Sequence, residues 1–212
     1  MIKSFDDVKV GLFKYDMSNE FANSAITCVK EICEQSNVFC SSIPNCAKIS
    51  FWNDVDTGKR LYDLPAFKDY LSFVKPHIRE YLTALGISED DAVVTAMWGV
   101  HYKPDQFVQR HNHTYEDYHK GPYKKVTNND VLAILLYLNK PDNSGNLFIE
   151  TSDGIEHEID LKGGDIIMFP SSSTMHRTNP NKSKEDKFIV GIELVMKWVT
   201  DDNLVGKMLE EL

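Results

Sequence analysis

The texture of the chain changes at Gly86, and this change constrains the fold more than any other feature. Beyond it the sequence breaks into short runs rich in β-branched and aromatic residues: DAVVTAMWGVHY, VLAILLYLN, NLFIET, IEHEIDL, DIIMF and KFIVGIELVMKW. Turn formers separate them, in KPDQ, PDNSG, SDG, KGGD and NPNKS. Many short strands with Gly- and Pro-rich turns predict a sandwich or barrel, not a parallel α/β sheet. VLAILLYL (131–138) is apolar on both faces and is therefore expected as a central strand, with helices against one side.

Before Gly86 the period is helical. SNEFANSAITCVKEICEQS places Phe21, Ala25, Cys28, Val29 and Ile32 on one face, with Ser18 or Asn19 as N-cap. LPAFKDYLSFVKPHIREYLTALG repeats Phe67, Tyr70, Leu71, Val74, Ile78, Tyr81, Leu82 and Leu85 at helical steps. Gly86 is expected to end that helix, and Pro76 to kink or split it. The expected architecture is mostly β, a sandwich of jelly-roll type buttressed by N-terminal helices. Residues 1–90 are expected as helical support and 91–200 as the β core. With 212 residues and no internal repeat or linker, 1–212 reads as one domain.

Bulk properties exclude several classes. No apolar run approaches the roughly 18 residues of a membrane helix, and MIKSFDDVKVGLF has no apolar signal core, so a cytoplasmic protein is expected. Cys28, Cys33, Cys40 and Cys46 match no C-x-x-C zinc spacing and read as free thiols in a reducing compartment. A net charge of −9 repels phosphate backbones and argues against broad nucleic-acid binding. The basic stretch HKGPYKK (119–125) reads as a solvated loop.

The chemistry gathers around QRHNHTYEDYH (109–119). On an extended chain, His111 and His113 project from one face about 7 Å apart, and two imidazoles so placed can grip one metal ion. Alone, H-x-H is weak. Downstream, GGDIIMFPSSSTMHRTNP supplies His176, and Lys187 opens the run KFIVGIELV eleven residues later. A third histidine and a basic residue in this order suit a metal that holds one end of a small dicarboxylate, with the far carboxylate on the cation.

These blocks resemble the iron(II)/2-oxoglutarate-dependent oxygenase superfamily, in its prolyl 4-hydroxylase-like branch. The resemblance runs from about Trp98 to Trp198 through VHYKPDQFVQRHNH, LAILLYLNKPDNSGNLFIE, GGDIIMFPSSSTMH and EDKFIVGIELVMKW, in the family's order. It implies His111 and His176 as iron ligands, and Lys187 as the partner of the distal carboxylate of 2-oxoglutarate. Tyr137 is placed either on that carboxylate or in the core. The implied cofactors are Fe(II), 2-oxoglutarate and O2, with ascorbate as an optional reductant. The implied reaction is hydroxylation of a peptidyl, proline-like residue or a small molecule, releasing succinate and CO2.

One departure matters. The family pattern is His-x-Asp or His-x-Glu, and no histidine here is followed by an acid two residues later. His113 stands there instead, as in His-x-His relatives of the phage and bacterial branch, which implies a three-histidine facial site; Glu116 or Asp117 is the alternative carboxylate. Two rival readings stay open: a three-histidine cupin-type dioxygenase without 2-oxoglutarate, and a catalytically silent jelly-roll binding module. His77 reads as a partly exposed structural histidine, His101 as core-facing or pocket-lining, His119 as a loop residue and His157 as exposed. Residues 114–130, with Tyr115, Tyr118 and Tyr123, read as a lid or a surface excursion, and Arg177 as a second contact near the site.

Overall fold

A computed structural model describes residues 1–35, 44–51, 67–113, 131–197 and 207–209. Strand β5 (Val131–Tyr137) is the apolar run, and it lies at the centre as its two-faced composition requires. It pairs antiparallel with β10 (Lys187–Met196) on one side and β8 (Asp165–Pro170) on the other. Beyond β10 come β4 (Ala92–Tyr102) and β11 (Lys207–Met208), with β3 (Lys48–Phe51) also on β4. A smaller sheet runs β7 (Glu156–Ile159), β6 (Leu147–Glu150), β9 (His176–Thr178). This is the mostly β, jelly-roll class that the run pattern predicts, in the double-stranded β-helix, cupin-like form that the resemblance implies.

Alternation divides the large sheet into two faces. Leu132, Ile134 and Leu136 of β5, with Phe188, Val190, Ile192 and Leu194 of β10, pack in the cluster that holds both helices. Helix α1 (Asn19–Gln35) contributes Ala25, Val29, Ile32 and Cys33 to it, and α2 (Lys68–Leu85) contributes Tyr70, Val74, Ile78 and Leu82. Ala133, Tyr137, Ile167, Phe169 and Ile189 face the other way, into the space closed by Leu147 and Ile149 of the small sheet.

Local signals explain the helix ends. Ser18 Oγ accepts the Phe21 N–H at 3.1 Å, as an N-cap does. Gly86, at φ 74°, takes the left-handed position, and the Gly86 and Ile87 N–H groups close onto Thr83 and Leu82 carbonyls. Pro76 does not split α2 as expected: the helix runs from Lys68 to Leu85 with the proline inside. Both Pro76 and Ser72 are exposed, so the carbonyl that loses its bond to residue 76 remains open to water.

The first ninety residues are not helical support alone. β1 (Ile2–Phe5) and β2 (Val8–Lys14) form a hairpin closed by Asp6 at φ 47°, and β2 extends the large sheet through β8. Val8, Val10 and Leu12 are two apart and all meet the cavity-side cluster, a strand period too short to stand out among lysines and aspartates. β3 adds a third strand before residue 90. Cys28, Cys33 and Cys46 are thiols outside any disulfide, while Cys40 lies outside the described residues. Among the described residues, no helix is long and apolar enough to cross a membrane.

Gly191 pairs with Trp98 across β10 and β4, and a Cβ there would sit 2.1 Å from the indole. The missing side chain is the seat of the Trp98 ring. Gly191→Ala is expected to overpack this contact and cost about 1–3 kcal/mol, read as a lower denaturant midpoint with unchanged slope. An unchanged midpoint refutes this view of the seat.

Candidate metal centre

The site begins with backbone, not side chains. Beside β9, the chain around Val108–His113 runs extended: His111 and His176 exchange reciprocal N–H···O bonds of 3.0 and 2.8 Å, and Thr178 N–H reaches the Val108 carbonyl at 3.0 Å. His113 N–H donates to the Ser171 carbonyl at 2.9 Å. Ser171 N–H in turn donates to the carbonyl of Val131, and the Val131 N–H donates to Ser172 Oγ. Thus the residues at the two ends of 114–130 are tied to the same pair of serines. The stretch 114–130 itself, with Tyr115, Glu116, Asp117, Tyr118, His119 and Tyr123, lies outside the described residues.

The three rings converge. Centroids are 4.2 Å apart for His111 and His176, 5.1 Å for His113 and His176, and 5.4 Å for His111 and His113. One nitrogen from each lies within 4.8 Å of the others, a set that can hold a metal ion. The tautomers follow from hydrogen bonding. His111 Nδ1 meets the Gln109 carbonyl at 2.8 Å and His176 Nδ1 meets the Thr174 carbonyl at 3.0 Å. A carbonyl only accepts, so both Nδ1 atoms carry the proton and both Nε2 lone pairs are free for a metal. His113 Nδ1 faces Glu193 Oε2 at 3.4 Å, leaving Nε2 for the same role.

Burial sets the charge state. It pushes His111 down to about 4, helped by neighbouring His113, and pushes His176 well below its ordinary range, with both other histidines contributing. Near neutral pH these two imidazoles are therefore uncharged and ready to ligate without releasing a proton. Trp98 stands beside His113 and Phe169 beside His176, and the cavity continues between Val100, Tyr102, Val108, Tyr137, Leu147 and Ile189.

Lys187 lies behind that lining, against Tyr102. It is completely buried; its Nζ donates to the Gly145 carbonyl at 3.2 Å and lies 4.0 Å from the centre of the Tyr102 ring. Burial, with Lys140 nearby, brings it down to about 7. No carboxylate pairs with it among the described residues. The Tyr137 hydroxyl is also buried and has no hydrogen-bond partner among them. Of the two places expected for Tyr137, a core tyrosine capped by a carbonyl does not fit this geometry. A cavity lined by an unfilled phenol and a neutral three-nitrogen cluster, with a buried amine against its Tyr102 wall, suits a dicarboxylate that also reaches a metal.

Other residues settle into structural places. His101 is fully buried, 2.8 Å from Asp186 and stacked on Phe188. His77 is half-buried between Phe13 and Phe73. His157, expected exposed, is half-buried against Phe5, whereas Ile155 is the exposed neighbour. Arg177 lines the cavity but is already engaged: Nε and Nη2 donate to Glu156 at 2.7 Å, Nη1 donates to Asn179 Oδ1 at 2.6 Å, and its face lies over Phe148. Sequence reasoning missed Asn139, which holds the backbone on both sides of Lys187: its Nδ2 donates to the Asp186 carbonyl and its Oδ1 accepts the Phe188 N–H. It also missed Glu193. The signal was a lone acid inside an apolar strand.

Comparison with known proteins agrees with this geometry. Residues 97–192 match the sequence profile of the 2OG-Fe(II) oxygenase superfamily. No curated protein sequence matches the chain. Among solved structures, a prolyl-4-hydroxylase from Pseudomonas putida is similar with TM-score 0.61 at 15% identity, covering 88% of this chain and 92% of that one. A prolyl hydroxylase from Trichoplax adhaerens, in complex with a hypoxia inducible factor peptide fragment, gives TM-score 0.61 at 15% identity over 91% and 87%. HygX from Streptomyces hygroscopicus, with nickel, 2-oxoglutarate and hygromycin B bound, gives 0.56 at 11% over 93% and 90%. These likenesses share the double-stranded β-helix fold. The matched segment contains His111, His113, His176, Tyr137 and Lys187, and over it the chain is similar to the 2OG-Fe(II) oxygenase superfamily.

Proposed function

We propose that the chain is an iron(II)- and 2-oxoglutarate-dependent hydroxylase in which residues 1–212 serve one site. His111, His113 and His176 hold the metal through Nε2. Lys187 pairs with the distal carboxylate of 2-oxoglutarate, and Tyr137 donates its hydroxyl to the same group. Lys187 carries this reading, since a fully buried amine without an anion among the described residues is costly unless a ligand supplies one. A three-histidine dioxygenase that dispenses with 2-oxoglutarate, or a silent binding module, leaves Lys187 and Tyr137 with nothing to hold.

When bound, iron and 2-oxoglutarate supply oxidation of a substrate C–H bond by dioxygen, with succinate and CO2 released. The chain binds, orients and excludes water. Val100, Val108, Leu147 and Ile189 make the cavity apolar between its polar ends, which strengthens the Lys187–carboxylate contact. The substrate is a peptidyl residue of the proline type or a small molecule. The peptide on the Trichoplax adhaerens enzyme and hygromycin B on HygX support that pair of classes. Succinate formed from 2-oxoglutarate and iron(II), measured with and without candidate peptides, tests the activity. Its absence under all conditions, with metal bound, overturns it.

His113 separates the ligand sets. His113→Ala is expected to lose most iron affinity, leaving two protein ligands, whereas His113→Asp keeps it. Iron dissociation constants that show a mild His113→Ala and a severe Glu116→Ala or Asp117→Ala identify an acid as the third ligand instead.

Lys187 has a pH signature. Its folded value of about 7 lies below its ordinary 10.5, so between them the unfolded chain binds more protons. Stability of the ligand-free protein therefore rises with pH through that window, and the burial penalty is fully present below about 7. A dianion stabilises the ammonium form, so 2-oxoglutarate binding near about pH 8 takes up a proton. Calorimetry in buffers of different ionisation enthalpy reads that uptake, which Lys187→Met should abolish while weakening binding more than about tenfold. Wild-type affinity in Lys187→Met removes this residue as the anchor.

A further inference from the structure

Every residue of β10 is buried except Glu193, which is only partly exposed. An acid here lies in the middle of a central strand, where an unused carboxylate is a cost without return. Its surroundings are built to receive it. Ala96 and Ala133 are its neighbours across the strand on either side, so no large side chain crowds it. The β4–β10 register shifts at this point: Glu193 pairs with Ala96 and Leu194 with Val94, leaving Thr95 as the extra residue of a β-bulge. Bulges re-aim side chains beside sites. Thr95 Oγ1 donates to Glu193 Oε1 at 2.9 Å, and Glu193 Oε2 is left facing His113 Nδ1 at 3.4 Å.

The three metal-facing imidazoles are thus held in two different ways. His111 and His176 rest on backbone carbonyls, and His113 faces a carboxylate. His113 also occupies the position where the family pattern has the acidic ligand. Glu193 is outside the converging nitrogen cluster, one imidazole away from any ion held there.

We propose that Glu193 is the charge partner of the metal site. It is a positioning residue that fixes the His113 ring with Nε2 toward the ion. Through that ring it returns the negative charge that a carboxylate ligand would bring directly. The bulge at Thr95 is the device that aims it. This inference rests on His113 being a metal ligand.

The test uses the full chain and cobalt(II) as an air-stable probe, with affinity read by chelator competition. Glu193→Gln keeps the shape and removes the charge. It is expected to weaken cobalt(II) about 10–100-fold and to move the iron(III)/iron(II) potential positive, with little change in metal-free melting. In a His113→Asp background the imidazole link is gone, and Glu193→Gln should then cost no affinity. Wild-type affinity in Glu193→Gln, or an equal loss in both backgrounds, overturns the proposal. If Glu193→Gln does not fold, Thr95→Val leaves the carboxylate but releases its clamp: weakened affinity supports the proposal and unchanged affinity overturns it. A wild-type chain that binds no cobalt(II) overturns instead the three-histidine reading beneath it.

Discussion

Side-chain alternation along β10 is the constraint on which the rest depends. Phe188, Val190, Ile192 and Leu194 turn toward α1 and α2 and make the larger core. Lys187, Ile189, Gly191 and Glu193, the residues between them, belong to the other face. That face carries in order a buried lysine, an apolar wall, a seat for Trp98 and an acid behind one of the three converging histidines. A one-residue slip of β10 against β5 would exchange the two sets, placing Lys187 among the helices and phenylalanine in the cavity. The pairing of Ile189 with Tyr137 and Gly191 with both Leu135 and Trp98 fixes that register. Core packing and site chemistry are therefore one requirement.

The parts of this arrangement that were legible in sequence are those with a local signature. H-x-H needs only an extended backbone to bring two rings to one face, and VLAILLYL needs only its unbroken apolar run to be central. Gly86 and Ser18 declare helix ends through φ and a hydroxyl. Other features required partners far away in sequence. The hairpin of Ile2–Phe5 and Val8–Lys14 joins the sheet because β8 is there to pair with it. Glu193 gains meaning only from a register shift against β4 and a histidine eighty residues earlier. Tyr137 reads alike as core or site in sequence, because whether its buried hydroxyl finds a partner depends on the folded surroundings. Pro76 stands inside an unsplit α2, because an exposed helix face tolerates a missing bond that a buried one does not.

Electrostatically, the cavity is assembled from groups that are uncomfortable alone. Two neutral imidazoles are kept from protonation by burial, and Lys187 is pulled toward neutrality by the same force. Each suits a different arriving charge: a metal cation takes up the neutral imidazole lone pairs, and an anion restores the proton to the amine. Site groups under such tension are pre-organised for ligands, since the desolvation has already occurred during folding. The Asn139 clamp on Asp186 and Phe188 keeps the strand start from moving to spare Lys187 that burial.

Ser171 and Ser172 anchor the two residues that flank 114–130. His113 is tied to Ser171, and Val131 to both serines, so two positions far apart in sequence share one support at the end of β8. The backbone of His113 is thereby held from β8 and not by the residues that follow it. Because loop-closure entropy grows only slowly with length, the number of residues between the two ties can vary at small cost to them.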